Sequence, residues 1–304
     1  MYRKSSKTKS KTGKTVYDIV TEKITTLLEA GHIPWQKPWK MSDAPKNFVS
    51  HRRYSGVNVF MLTAVREIKG YTSTEWLTQN QVNDLGGYVD WAKEKRTLII
   101  KAATFDKKVA EGAKPETGFS MIYYQVYNSD QVTGLPLHLK YPEVIIDPIT
   151  AAELVYTNMP GRPEIKTGGD RASYVPRLDY VKMPTRNSFK SAEYYYKTLW
   201  HELAHSTSNA SRLNRDVGAH VFGSQDYSRE ELVAEMSAAF MMGATGIEND
   251  DTITNSTGYI KSWLTALASD SHLVVSAASQ AQKVADYILC IKEEAPDVTD
   301  RPSK

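Results

Sequence analysis

Residues 199–207 read L-W-H-E-L-A-H-S-T, and the pentad His201-Glu202-Leu203-Ala204-His205 constrains the fold more than any other stretch. On an α-helix, residues four apart lie on one face, so a helix over this segment turns both imidazoles toward a single ion. Glu202 sits one position along, about 100° round the helix, where it reaches a water beside the ion rather than the ion itself. The preceding E-Y-Y-Y-K-T-L-W (193–200) continues the helical pattern, with Tyr194, Tyr195 and Tyr196 reading as packing residues.

A catalytic zinc usually takes three protein ligands and keeps one position open. The third must come from another element. R-E-E-L-V-A-E-M-S-A-A-F-M (229–241) offers carboxylates at 230, 231 and 235 on a second helix with an apolar stripe. Glu231 is assigned as the ligand and Glu235 as an acceptor for a ligand histidine's other N–H, with the reverse order left open. His220, in a Gly-bearing loop, is a fallback ligand. Zn2+, or another divalent metal, would acidify water and polarise a carbonyl, while Glu202 takes the proton and passes it to the leaving amine. Tyr174 or a neighbour within 168–180 is the candidate oxyanion donor.

Helical spacing of Val16, Ile19, Val20, Ile24, Leu27 and Leu28 predicts a helix over about 15–30, closed by Gly31. Further helices are read at 57–69 and 74–84, and strands at 96–105 and 119–127. Beyond Pro142 and Pro148, a helix at about 150–158 precedes loop- and strand-like residues 161–188. The rest reads as helices over 190–208, 228–245, 257–270 and 273–294. The fold class is therefore α+β: an α+β front half with a small sheet over 15–145, then a mainly helical half over 146–304.

Charge divides at the same place. Residues 1–147 hold 22 Lys+Arg and 15 Asp+Glu, a balance of +7; residues 148–304 hold 16 and 20, a balance of −4. Residues 1–14 carry six basic residues and no acid, the composition of a disordered tail. The lone Cys290 excludes an intrachain disulfide framework and fits a reducing, cytoplasmic setting. No apolar run approaches the roughly 20 residues of a membrane helix, and no apolar segment of a secretory signal follows the basic start.

Single-stranded nucleic acid is held by a positive track and flat side chains on which bases stack. Residues 32–54 interleave both kinds, and Trp35, Lys37, Trp39, Lys40, Arg52, Arg53, Tyr54 and, further on, Trp76 are the candidate contacts. Trp91, Lys93, Lys95 and Arg96 join Trp76 in a second group. Duplex-reading motifs are absent: there is no zinc-finger spacing, basic zipper or clear helix-turn-helix pattern.

Segments from both halves then resemble one family in order. V-Y-D-I-V-T-E-K-I-T-T-L-L-E-A-G-H-I-P-W-Q-K-P-W (16–39), Y-S-G-V-N-V-F-M-L (54–62), W-L-T-Q-N-Q-V (76–82) and V-Y-N-S-D-Q-V-T-G-L (126–135) carry it in front. Y-Y-K-T-L-W-H-E-L-A-H (195–205), S-R-L-N-R (211–215), E-E-L-V-A-E-M-S-A-A-F (230–240) and Y-I-K-S-W-L (259–264) carry it behind. The chain resembles the ArdC-type antirestriction proteins of conjugative plasmids, themselves related to the front part of TraC-type primases. The resemblance implies a single-stranded-DNA-binding domain fused to a zincin-like metallopeptidase domain. It places the metal on His201, His205 and the 231–235 helix, with Glu202 as acid/base. It also implies protection of incoming plasmid DNA in a bacterial cytoplasm. The implied partners are single-stranded DNA and, for a protease reading, host restriction enzymes or other DNA-bound proteins.

Overall fold

The computed structural model describes residues 13–35, 43–90, 94–107, 116–136, 147–218, 225–247 and 256–291. Most of the basic tail (residues 1–12), Lys37, Trp39, Lys40, Trp91, Lys93, His220 and the expected boundary at 146 lie outside these residues.

The front half opens with helix α1 (Val16–Glu29), which Thr15 and Asp18 start as a reciprocal capping box. Helix α2 (Val57–Lys69) ends at Gly70, whose left-handed φ of 69° closes the last turn. The segment expected to be one helix over 74–84 is divided. Its first residues form strand β2 (Glu75–Thr78), parallel to the short β1 (Lys46–Asn47), and helix α3 (Gln79–Asp84) follows. Two features override the helical spacing. Trp76 and Leu77 are buried in an extended, sheet-paired segment, and Thr78 with Gln81 forms a second capping box that fixes where the helix begins. Strands β3 (Thr97–Lys107) and β4 (Glu116–Asn128) pair antiparallel, and the four-stranded sheet runs β1-β2-β4-β3.

The back half begins with helix α4 (Pro148–Asn158), capped by Asp147 with Pro148 in its first turn. Strands β5 (Glu164–Thr167), β6 (Ser173–Val175) and β7 (Tyr180–Met183) make a small sheet ordered β5-β7-β6, leaving β6 on an edge. Helices α5 (Ala192–Ser206), α6 (Gln225–Thr245), α7 (Ser256–Ser269) and α8 (Leu273–Ile288) complete it. Helix α6 packs against both α5 and α8. Among the described residues, no helix is long and apolar enough to cross a membrane.

One apolar cluster runs through both halves, from Val20, Ile24 and Phe60 to Trp200, Leu232, Trp263 and Val274. At the seam Trp35 lies edge-on to Trp263, with ring centres 5.3 Å apart, and Phe60 meets Phe240 at 4.8 Å. Such aromatic pairs contribute about 0.5–1.5 kcal/mol each beyond the area they bury. Polar contacts cross the same seam: Thr21 Oγ1 donates to the Ser271 carbonyl at 2.7 Å, and the Gly56 N–H to Gln282 Oε1 at 3.2 Å.

Candidate metal centre

Helix α5 starts at Ser191, whose hydroxyl caps the Tyr194 N–H. Its face bearing Tyr195, Tyr196, Leu199, Trp200 and Leu203 is buried in the shared core. That burial fixes the rotation of the helix and turns His201 and His205 toward the first turns of α6. Their Nε2 atoms lie 3.1 Å apart. Glu231 approaches both, with Oε2 3.5 Å from His201 Nε2 and Oε1 3.6 Å from His205 Nε2.

These separations test whether the residues suit a metal. Donors about 2.0–2.2 Å from a tetrahedral ion lie about 3.3–3.5 Å from one another. Two imidazole nitrogens and a carboxylate so spaced, all within 4.8 Å, fit a divalent cation.

The remote edges of the imidazoles are held by carboxylates too. Glu235 Oε1 lies 3.4 Å from His201 Nδ1, and Glu230 Oε1 lies 3.0 Å from His205 Nδ1. Burial pushes the carboxyls of Glu230, Glu231 and Glu235 up, but hydrogen bonds from the histidines, and for Glu230 from Arg215, hold all three below the usual range. Burial alone would lower the pKa of His201; its contacts with Glu231 and Glu235 overcome this and raise it well above the ordinary value. The pocket therefore concentrates negative charge around two imidazoles, the electrostatic setting a cation requires.

Glu202 is nearly buried, and its Oε2 accepts the backbone N–H of Tyr174 at 2.7 Å. Tyr174 lies on the edge strand β6, so that strand fixes the carboxylate. Of the groups at 168–180 expected to offer an oxyanion donor, the Tyr174 hydroxyl is already engaged. It donates to Asp179 at 2.8 Å and accepts from Arg212 at 3.2 Å, which commits it to a structural network.

Arg212 and Arg215, within the S-R-L-N-R segment, organise both sides of the centre. The Arg212 side chain is 1% exposed; it donates to the Ser206 and Gly161 carbonyls and pairs with Asp179 beside β6. Arg215 forks Glu230 at 2.7 and 2.8 Å and donates to the Ala204 carbonyl at 2.8 Å. The sequence displayed both arginines, but what they grip becomes visible only when α5, α6 and the sheet come together.

The nucleic-acid candidates divide differently. Trp76 is 0% exposed and Trp35 is 3% exposed, so neither presents a ring face to a base. This corrects the expected stacking role. Trp76 lies in a second apolar cluster with Leu62, Ile99 and Val126, and Trp35 closes the seam. Tyr54 is half-buried against both clusters. Arg52 and Arg53 are exposed.

Comparison with known proteins accounts for both halves. Residues 14–132 match the N-terminal domain of the anti-restriction factor ArdC, and residues 153–280 match a zincin-like metallopeptidase. The crystal structure of the antirestriction protein ArdC from plasmid R388, metal-free, is 34% identical and superposes with a TM-score of 0.72, covering 90% of this chain and 96% of that one. The Mn(II)-bound structure of the same protein gives 0.70, covering 90% and 97%. A DNA primase TraC of Escherichia coli is 32% identical over 92% of this chain, which spans only 20% of that protein's length; for a second TraC the span is 28%. The protein y4eC of Sinorhizobium fredii is 30% identical, with 92% and 93% covered. A likeness that holds over nearly the full length of two such relatives places the chain, with its ArdC N-terminal domain and zincin-like metallopeptidase domain, in the ArdC antirestriction family.

Proposed function

We propose that this chain is an antirestriction protein that binds single-stranded DNA without sequence preference, shields incoming plasmid DNA from host restriction, and carries a divalent-metal peptidase centre. The observation that carries this reading is the likeness to the R388 protein over nine-tenths of the chain. It is supported by the +7 balance of residues 1–147 and by the exposed Arg52 and Arg53. Lys37, Trp39 and Lys40 remain proposed contacts on sequence grounds.

At the centre, His201, His205 and Glu231 are the proposed ligands, with Glu235 and Glu230 orienting the histidines. Zn2+, or Mn2+ as in the R388 protein, would supply Lewis acidity toward a carbonyl oxygen and toward water. Glu202 is the proton carrier. Its Oε2 is occupied by the Tyr174 N–H, leaving Oε1 to take a proton from water and deliver it to the leaving amine. A second reading follows from so well-positioned a base: a peptidase that cuts host proteins bound to DNA.

Transfer of a plasmid into a restricting host separates the two readings. Under the first, Glu202→Gln protects as well as wild type, and the double variant Arg52→Gln/Arg53→Gln protects less. Loss of protection by Glu202→Gln, with DNA binding intact, would favour the peptidase.

A further inference from the structure

The small sheet of the back half carries a charge pattern opposite to its surroundings. Residues 162–190 hold seven Lys+Arg and three Asp+Glu, a balance of +4, whereas the rest of 148–304 holds nine and seventeen, a balance of −8. Strand geometry puts part of this charge on one face. Val181 and Met183 are fully buried, so strand alternation turns Tyr180 and Lys182 outward. The β5–β7 register sets Lys166 beside Lys182 and Glu164 beside Tyr180. Neighbouring strands lie about 4.8 Å apart, so two ammonium-bearing side chains share one position of one face, an arrangement that weakens a sheet left to itself.

Among the described residues, little offsets that repulsion. Lys166 reaches Glu164 only at 3.6 Å between exposed groups and otherwise lies over the Tyr180 ring, 4.3 Å from its centre. Lys182, Arg171 and Arg177 have no ion pair among the described residues. Arg171 and Arg177 bracket β6, the edge strand whose Tyr174 N–H holds Glu202. A polyanion laid across the face would relieve the repulsion.

We infer that the outward face of β5-β7-β6, with Lys166 and Lys182 on it and Arg171 and Arg177 flanking the ends of β6, is a second contact surface for single-stranded nucleic acid, distinct from Arg52 and Arg53 of the front half. It rests on the proposed single-strand binding and extends it to the half that carries the metal centre. Nucleic acid suits the face better than an acidic peptide does. The half-buried Tyr180, with Lys166 over its ring, sets an aromatic side chain among these cations, and bases stack on aromatic rings where carboxylates do not.

The test measures binding of the full, metal-free chain to an oligothymidine of about 20 nucleotides across a salt series. Each phosphate contact on a single strand contributes about 0.7 to the slope of log K against log salt. Lys166→Gln/Lys182→Gln is expected to reduce the slope by about 1.4, which weakens binding roughly tenfold near 0.15 M salt. Lys261→Gln/Lys283→Gln removes equal charge from α7 and α8 and is expected to leave the slope alone. Equal slopes for the sheet variant and wild type, or an equal loss in the helix control, overturn the inference. So does displacement of the oligonucleotide by polyglutamate as readily as by polythymidine. If Arg52→Gln/Arg53→Gln lowers the slope and the sheet variant does not, only this inference falls; if wild type does not bind the oligonucleotide, the front-half reading falls with it. Lys166 is exposed and Lys182 half-buried, and the double change removes their repulsion, so a thermal midpoint no lower than that of wild type shows that the variant is folded.

Discussion

The Glu230 carboxylate lies 3.0 Å from His205 Nδ1 on one side and is forked by both terminal nitrogens of Arg215 on the other. The histidine is thus held by an ion pair whose members lie on α6 and on the loop after α5. Arg215→Met leaves a buried carboxylate without its counter-ion, a change that costs about 3–5 kcal/mol. Losing such an orienting contact also lowers metal affinity about 10–100-fold. Urea unfolding of the metal-free variant reads the first effect, and titration with Mn2+ or Zn2+ the second. Unaltered affinity would show that Glu230 orients His205 without the arginine.

Asp179 gives an acid-dependent stability. Burial pushes its carboxyl up, but the Arg212 guanidinium and the Tyr174 hydroxyl hold it below the ordinary range. A folded value below the unfolded one contributes stability above about pH 4, and the contribution is lost as pH falls through the folded value. Asp179 has a φ of 51°, a conformation asparagine also adopts, so Asp179→Asn removes charge without straining the backbone. The variant should unfold at lower temperature than wild type at neutral pH, with the gap closing as pH drops below about 4. A gap that stays constant with pH would exclude this origin.

Trp35 separates a core role from a DNA role. Trp35→Ala opens a cavity between Phe60 and Trp263 and should cost about 3–5 kcal/mol. Because the salt slope counts phosphate contacts rather than ring contacts, it should not change where the variant is folded. A stable variant that loses affinity for the oligonucleotide would return Trp35 to the binding surface.

Gly218 constrains the entry to α6. Its φ is 63°, and a Cβ added there would meet Asp226 Cγ at 2.5 Å. Gly218→Ala should destabilise by more than about 1 kcal/mol. Asp226 lies in the first turn of the helix that bears Glu230, Glu231 and Glu235, so metal affinity should fall as well. Chemical denaturation and metal titration test both effects; full affinity in the destabilised variant would show that the strain stays local.

Local periodicity made α1, α2, the β3–β4 pair and the pentad on α5 legible, because each depends on neighbours three, four or two residues away. The same spacing misread 74–84, where a capping box at Thr78 and sheet pairing of Trp76 prevailed over helical pattern. The pairing of His201 and His205 followed from helix geometry alone. The Arg215–Glu230–His205 chain did not, since its members come from two helices and a loop. Aromatic residues set among lysines look alike in sequence whether they stack on bases or fill a core, and Trp35 and Trp76 fill it.

The Trp35–Trp263 and Phe60–Phe240 contacts also bear on inheritance. Halves joined by a flexible tether can be exchanged between lineages whole; halves that share their interior cannot. A recombinant that takes α1 and α2 from one relative and α6 and α7 from another inherits mismatched aromatic surfaces and must alter both sides together. Substitutions at these four positions should therefore arise as linked pairs, with the two halves travelling as one gene.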